Sequence, residues 1–126
     1  MIARYLAAIG GLFYLISGGW AFAFPAGFYE TVATFSPYNL HLLHDAGAFQ
    51  IGIGAGLLAA AVLGRGLIAV LLGAVAASLL HIAAHVLDIR LGGHPATDLP
   101  ALVLLAAILL VAIALHLRDR PQSTRS

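Results

Sequence analysis

The chain contains no cysteine, which excludes a disulfide, an iron–sulfur cluster and a thiolate metal site. Its one methionine is Met1, so a thioether copper(I) site is excluded as well. Charge is almost as scarce. Only 9% of the 126 residues are charged, against about 25% in an average soluble domain. The net charge of +1 is too small to point to nucleic acid. What fills the chain instead is hydrocarbon: 62% of residues are hydrophobic and the mean hydropathy is +1.02. Such a sequence cannot cover a water-facing surface, so the lipid bilayer is its solvent and its first partner.

Four apolar runs are long enough to cross a bilayer, at residues 5–24, 41–63, 67–89 and 99–117. Ala and Leu dominate them and period-two alternation is absent, which predicts helices rather than barrel strands. The fold class expected is therefore all-α: one integral membrane domain, an antiparallel up-down four-helix bundle with a polar tail at 118–126. The first run is longer than the apolar region of a signal peptide, so it is read as a retained span. Between the first two spans, Phe28, Val32 and Phe35 are spaced to share one face of a short interfacial helix. An irregular cap over the bundle is the alternative.

Four spans place Arg4, Arg65, Arg118, Arg120 and Arg125 on one side and only Arg90 on the other. The positive-inside rule then predicts a plasma-membrane protein with both termini in the cytoplasm. Five of the six histidines and four of the five acids fall on the opposite, extracytoplasmic side.

In lipid, apolar surface gives no net drive between helices, so small residues that allow close backbone approach carry the packing. Gly52 and Gly56, with Ala48 one turn earlier, form a small-xxx-small pattern on the second span. Gly73, Ala77 and Ala84 offer similar contact on the third, and Gly11 and Gly18 on the first. Packing within one chain is the preferred use and a homodimer the other. On this reading Gly52→Leu damages folding more than oligomeric state.

The candidate site lies where the polar residues gather. His81, His85 and Asp88 sit at i, i+4 and i+7 and share a helix face. His81 falls well inside the hydrocarbon, where an ionisable group normally points into the bundle. On the second span lie His41, His44, Asp45 and, deeper, Gln50. A three-residue turn makes these spans antiparallel neighbours, so Asp45 is expected to face His81 or His85. The resulting pocket has several readings. As helix glue, Asp45 and a histidine lock two helices in register, which would make this a structural or assembly subunit. As a metal site, His81, His85, Asp88, His44 and Asp45 offer imidazole and carboxylate ligands suited to zinc or copper(II). As an organic-ligand site, Asp45, His81, His85 and Gln50 would bind the oxygen of a quinone or similar lipid-soluble molecule; haem between two histidines is a variant of this. As a membrane-embedded acid–base enzyme, a His–Asp pair would move a proton on a lipid. His116, at the other end, is read as a residue complementing its helix C-terminus.

Pro37-Tyr38-Asn39, His41 and the run His44-Asp45-Ala46-Gly47-Ala48-Phe49, with His81 and His85 closing the third span, resemble small uncharacterised four-helix membrane proteins of actinobacterial type. The overall plan is similar to the broader DoxX-like group. The resemblance covers about 80 residues, 28–85, and implies a four-helix bundle associated with membrane redox complexes, often as an accessory subunit. The missing cysteines remove any thiol role that some relatives would imply.

Overall fold

A computed structural model describes residues 1–119. Among them the secondary structure is entirely helical: α1 Ile2–Ala23, α2 Pro25–Thr31, α3 Leu40–Leu63, α4 Leu67–Leu87 and α5 Pro95–Arg118. The four long helices are each long and apolar enough to cross a membrane. They form a closed ring in the order α1, α3, α4, α5, with α1 against α5 and each helix antiparallel to the next. The structure is thus the expected all-α integral membrane four-helix bundle. One end carries the N-terminus, Arg4, Arg65 and Arg118; the other carries the histidine-rich connections. They are called here the arginine end and the histidine end.

Helix limits follow local chemistry. Asn39 caps α3, its side-chain oxygen accepting the Leu42 N–H at 3.1 Å. Gly64 ends α3 in the left-handed conformation, at φ +69°. The fourth span begins at Pro95, four residues before the expected 99. Proline at the first helical position gives up no hydrogen bond, and Asp98 reaches back to the His94 N–H at 2.7 Å, so the polar sequence still starts a helix. The third span stops at Leu87 rather than 89, with Asp88 as its C-cap. A short helix, α2, does lie between spans one and two, but it ends at Thr31: of the three residues expected to share its face only Phe28 is helical, Val32 being the C-cap and Phe35 lying in the connection that follows. The buried Phe28 packs on Ala21 of α1 and Leu43 of α3.

The helix α1 packs most intimately on α3, and glycine is the reason. A Cβ added at Gly54 would lie 2.7 Å from the Gly11 carbonyl oxygen, and one at Gly47 would lie 2.8 Å from that of Gly18. Gly11 with Gly18, and Gly47 with Gly54, are each spaced by seven, so two backbones touch at every second turn along an antiparallel seam. Another seven residues along, Arg4 of α1 donates from Nε and Nη2 to the carbonyls of Ala61 and Val62, satisfying the open end of α3. The expected contact residues on α3 and α4 are corrected here. Gly52 and Gly73 are exposed with nothing within 4 Å of an added Cβ, and Ala48 and Ala84 are exposed too. Of the four-residue pattern on α3 only Gly56 is half-buried, with Val70 of α4 3.6 Å from an added Cβ; the spacing that joins α3 to α1 is seven.

Each long helix turns one seam inward with spacings of four and three. The seams are Ala3, Ala7, Gly10, Tyr14, Ser17, Ala21 on α1 and Leu43, Gly47, Gln50, Gly54, Leu57, Ala61 on α3. On α4 the seam runs Leu67, Leu71, Ala74, Ser78, His81, His85, and on α5 it runs Asp98, Leu102, Leu105, Leu109, Ala112, His116. Toward the arginine end they build a close apolar core around Leu57, Leu71 and Leu109, all 0% exposed. That core ends at one polar pair. Ser78 Oγ, 1% exposed, donates to the Ala74 carbonyl at 2.8 Å and stands 2.8 Å from Tyr14 Oη. With the serine proton committed to Ala74, Tyr14 is the donor to Ser78.

Candidate functional site

Beyond Ser78 the α4 seam continues as His81 and His85, one and two turns closer to the histidine end. Their rings contact each other edge-on, with centroids 4.8 Å apart. His85 is half-buried against Phe35 of the α2–α3 connection, centroids 5.7 Å apart. His81 is exposed, and Asp98, half-buried in the first turn of α5, holds the corresponding seam position on that helix. Ser17 and Gln50 are half-buried at the corresponding seam positions of α1 and α3. The half of the bundle nearer the histidines therefore carries imidazole, amide, hydroxyl and carboxylate groups on its helix seams, beyond a floor made by the Tyr14–Ser78 pair.

Two connections roof it. Gly93 donates its N–H to Thr34 Oγ1 at 3.1 Å. Gly92 and Gly93 both have positive φ, and a Cβ at Gly92 would meet the Thr34 carbonyl oxygen at 2.5 Å. Thr34 and Phe35 can lie on the α4–α5 turn only because these positions have no side chain. Gly92→Ala is therefore expected to lift residues 32–39 from the turn. Hydrogen exchange should show faster exchange of the Gly93 amide and the neighbouring loop, with the spans unchanged; unaltered protection at Gly93 would exclude the docking role.

Asp98 also works locally. It accepts the His94 N–H, and Thr97 Oγ1 donates to the His94 carbonyl at 3.0 Å, so the start of α5 is fixed by its own side chains. Its carboxylate sits in the first turn, where the helix dipole favours negative charge.

The other residues expected at the site go elsewhere. Asp45 does not meet His81 or His85. It pairs with His41 on its own helix at 3.5 Å, with side chains 55% and 87% exposed. The cause is the glycine seam, which rolls α3 onto α1 and leaves position 45 off the inward line of Leu43 and Gly47. His44 packs its ring on Phe22 of α1, centroids 5.2 Å apart. Asp88 is the exposed C-cap of α4. Gln50 lies on the α1–α3 seam, its Cβ opposite Gly18. The five residues considered as metal ligands are thus dispersed, and among the described residues no three His, Asp or Glu side chains are grouped to hold a metal ion. Of the expected cluster, His81 and His85 come together, and their neighbours are Phe35 and Asp98 rather than Asp45.

Tyr14, Ser78, Phe35 and Asp98 are not among the site residues that the sequence suggests. The alternating four and three from Leu67 through Ser78 to His85 is the signal that finds the floor and the pair above it. Phe35 has no such signal, because its place depends on how two loops dock.

The chain is a small four-helix membrane bundle with a close apolar core toward the arginine end and most of its seam polar groups toward the histidine end. Comparison with family models, curated proteins and solved structures finds no match.

Proposed function

We propose that this is a plasma-membrane protein, with cytoplasmic termini and its histidine end outside, that binds a lipid-soluble small molecule carrying a polar oxygen head. The observation that supports this reading is the continuation of the α4 core seam, beyond the Tyr14–Ser78 pair, as the contacting pair His81 and His85. An imidazole within the hydrocarbon is costly unless it faces a polar partner or a cavity. A carbonyl or hydroxyl oxygen, as on a quinone, can accept from a histidine N–H and would find Gln50 as a further donor. Entry from lipid is easiest between α3 and α4, the sparsest contact in the ring. A quinone-like ligand would also agree with a role beside a membrane redox complex.

The helix-glue alternative loses ground because the cross-helix polar contact in the core is Tyr14–Ser78, not a His–Asp pair. Two imidazoles alone make an incomplete site for zinc or copper(II). The test is native mass spectrometry of the purified protein with added menaquinone analogue, beside a His81→Ala/His85→Ala variant. One analogue bound per chain, weakened about tenfold or more in the variant, is the expected result, since hydrogen bonds from two imidazoles are lost. Equal binding by both proteins would refute it. Stoichiometric zinc or copper lost in the variant would replace it with the metal reading.

A further inference from the structure

The arginine end holds a cavity of about 220 Å³ that the proposed site does not use. It is lined by the start of α1, Arg4, Gly64, Leu67, His116 and Asp119. All four long helices end near this level, two by their positive N-termini and two by their negative C-termini. Their ends are satisfied unequally. The carbonyls ending α3 are taken by Arg4, and α5 closes with the Asp119 N–H on the Leu115 carbonyl at 3.0 Å. The N-termini of α1 and α4 have no side-chain cap, and both open on the cavity at Ala3 and Leu67.

Arg4 adds charge to these amides. A guanidinium has five N–H donors, and the two bonds to α3 leave its Nη1 group and one Nη2 proton for another acceptor. The same two bonds fix its position, so little side-chain entropy remains to be lost on binding. The His116 imidazole also lines the cavity. The opposing charge is Asp119, whose carboxylate stands 3.5 Å from Arg118 Nε. Arg65, exposed in the α3–α4 turn, adds positive charge at the same end.

We propose that this cavity binds a phosphate group through the remaining Arg4 donors, His116 and the open N-termini of α1 and α4. A phospholipid headgroup and a free phosphate would offer the same oxyanion. In the proposed orientation the cavity faces the inner leaflet, whose anionic lipids attract basic residues at this depth.

The experiment measures lipid retention by native mass spectrometry after detergent exchange. Protein is offered phosphatidylglycerol or phosphatidylcholine, with and without inorganic phosphate. One phosphatidylglycerol per chain should survive where phosphatidylcholine does not. Arg4→Gln should weaken retention about tenfold, as expected for a lost charge-assisted contact, and His116→Gln should weaken it less. Asp119→Asn should strengthen retention a few-fold. This last variant leaves the α3 cap intact, so it keeps the test valid if Arg4→Gln folds poorly. Displacement by millimolar inorganic phosphate would identify a free-phosphate site; resistance to it would identify a lipid headgroup. Either supports the oxyanion site. Equal retention of both lipids, with no change in Asp119→Asn or His116→Gln, would overturn it. So would loss of the lipid in His81→Ala/His85→Ala, which should affect only the opposite end.

Discussion

Gly54→Val is expected to destabilise the protein by about 3 kcal/mol or more, the upper end of the range for overpacking a tight interior. The direction follows from contacts that have no slack. The new Cβ would stand 2.7 Å from the Gly11 carbonyl oxygen and 2.9 Å from the Leu15 amide, both on the α1 backbone. A flexible side chain could swing aside; a helix backbone must move as a whole. Displacing α1 would also pull Arg4 from the Ala61 and Val62 carbonyls and open the seam at Gly18 and Gly47. Gly52→Leu is the control. Nothing lies within 4 Å of its added Cβ, so it should change stability by no more than about 0.5 kcal/mol. Thermal unfolding of both variants in one detergent decides the matter. Comparable losses would mean that the seven-residue seam is not what joins α1 to α3.

Ser78→Ala should cost about 1–2 kcal/mol, while Tyr14→Phe should cost about half that or less. The asymmetry comes from the direction of the hydrogen bonds. Without the phenol, Ser78 still donates to Ala74. Without the serine, the Tyr14 hydroxyl is left in the core, 7% exposed and with its acceptor removed. The double variant should recover part of the loss, because both polar groups then leave together. A double-mutant cycle in detergent measures this coupling; additive effects would show that the two hydroxyls are energetically independent.

Composition and span length made the bundle legible in the sequence, because a bilayer leaves such long apolar segments few options other than helices. The depth of His81 and its proximity to His85 were legible for the same reason, since helical rise fixes both. The partner across the helix interface was not. Asp45 is at a suitable depth to meet His81, but depth says nothing about rotation, and rotation is set by Gly47 and Gly54. Those two glycines were passed over for Gly52 and Gly56, whose four-residue spacing matches a familiar contact motif. Antiparallel helices that wrap around each other repeat every seven residues, and Gly11 with Gly18 already showed that interval. The helix start at Pro95 was missed for a simpler reason: Asp98 looks like a loop residue until its bond to the His94 amide is seen.

The glycine seam also bears on how the protein is made. Every contact that holds α1 to α3, from Arg4 with Ala61 to Gly18 with Gly47, lies within the first 64 residues. The N-terminal hairpin is therefore complete in sequence before α4 has been synthesised, and N-terminal units generally fold first during translation. The two histidines join a scaffold already clasped. Substitutions in the seam should be felt by the insertion machinery and by membrane quality control, whereas substitutions at positions 81 and 85 leave this hairpin intact.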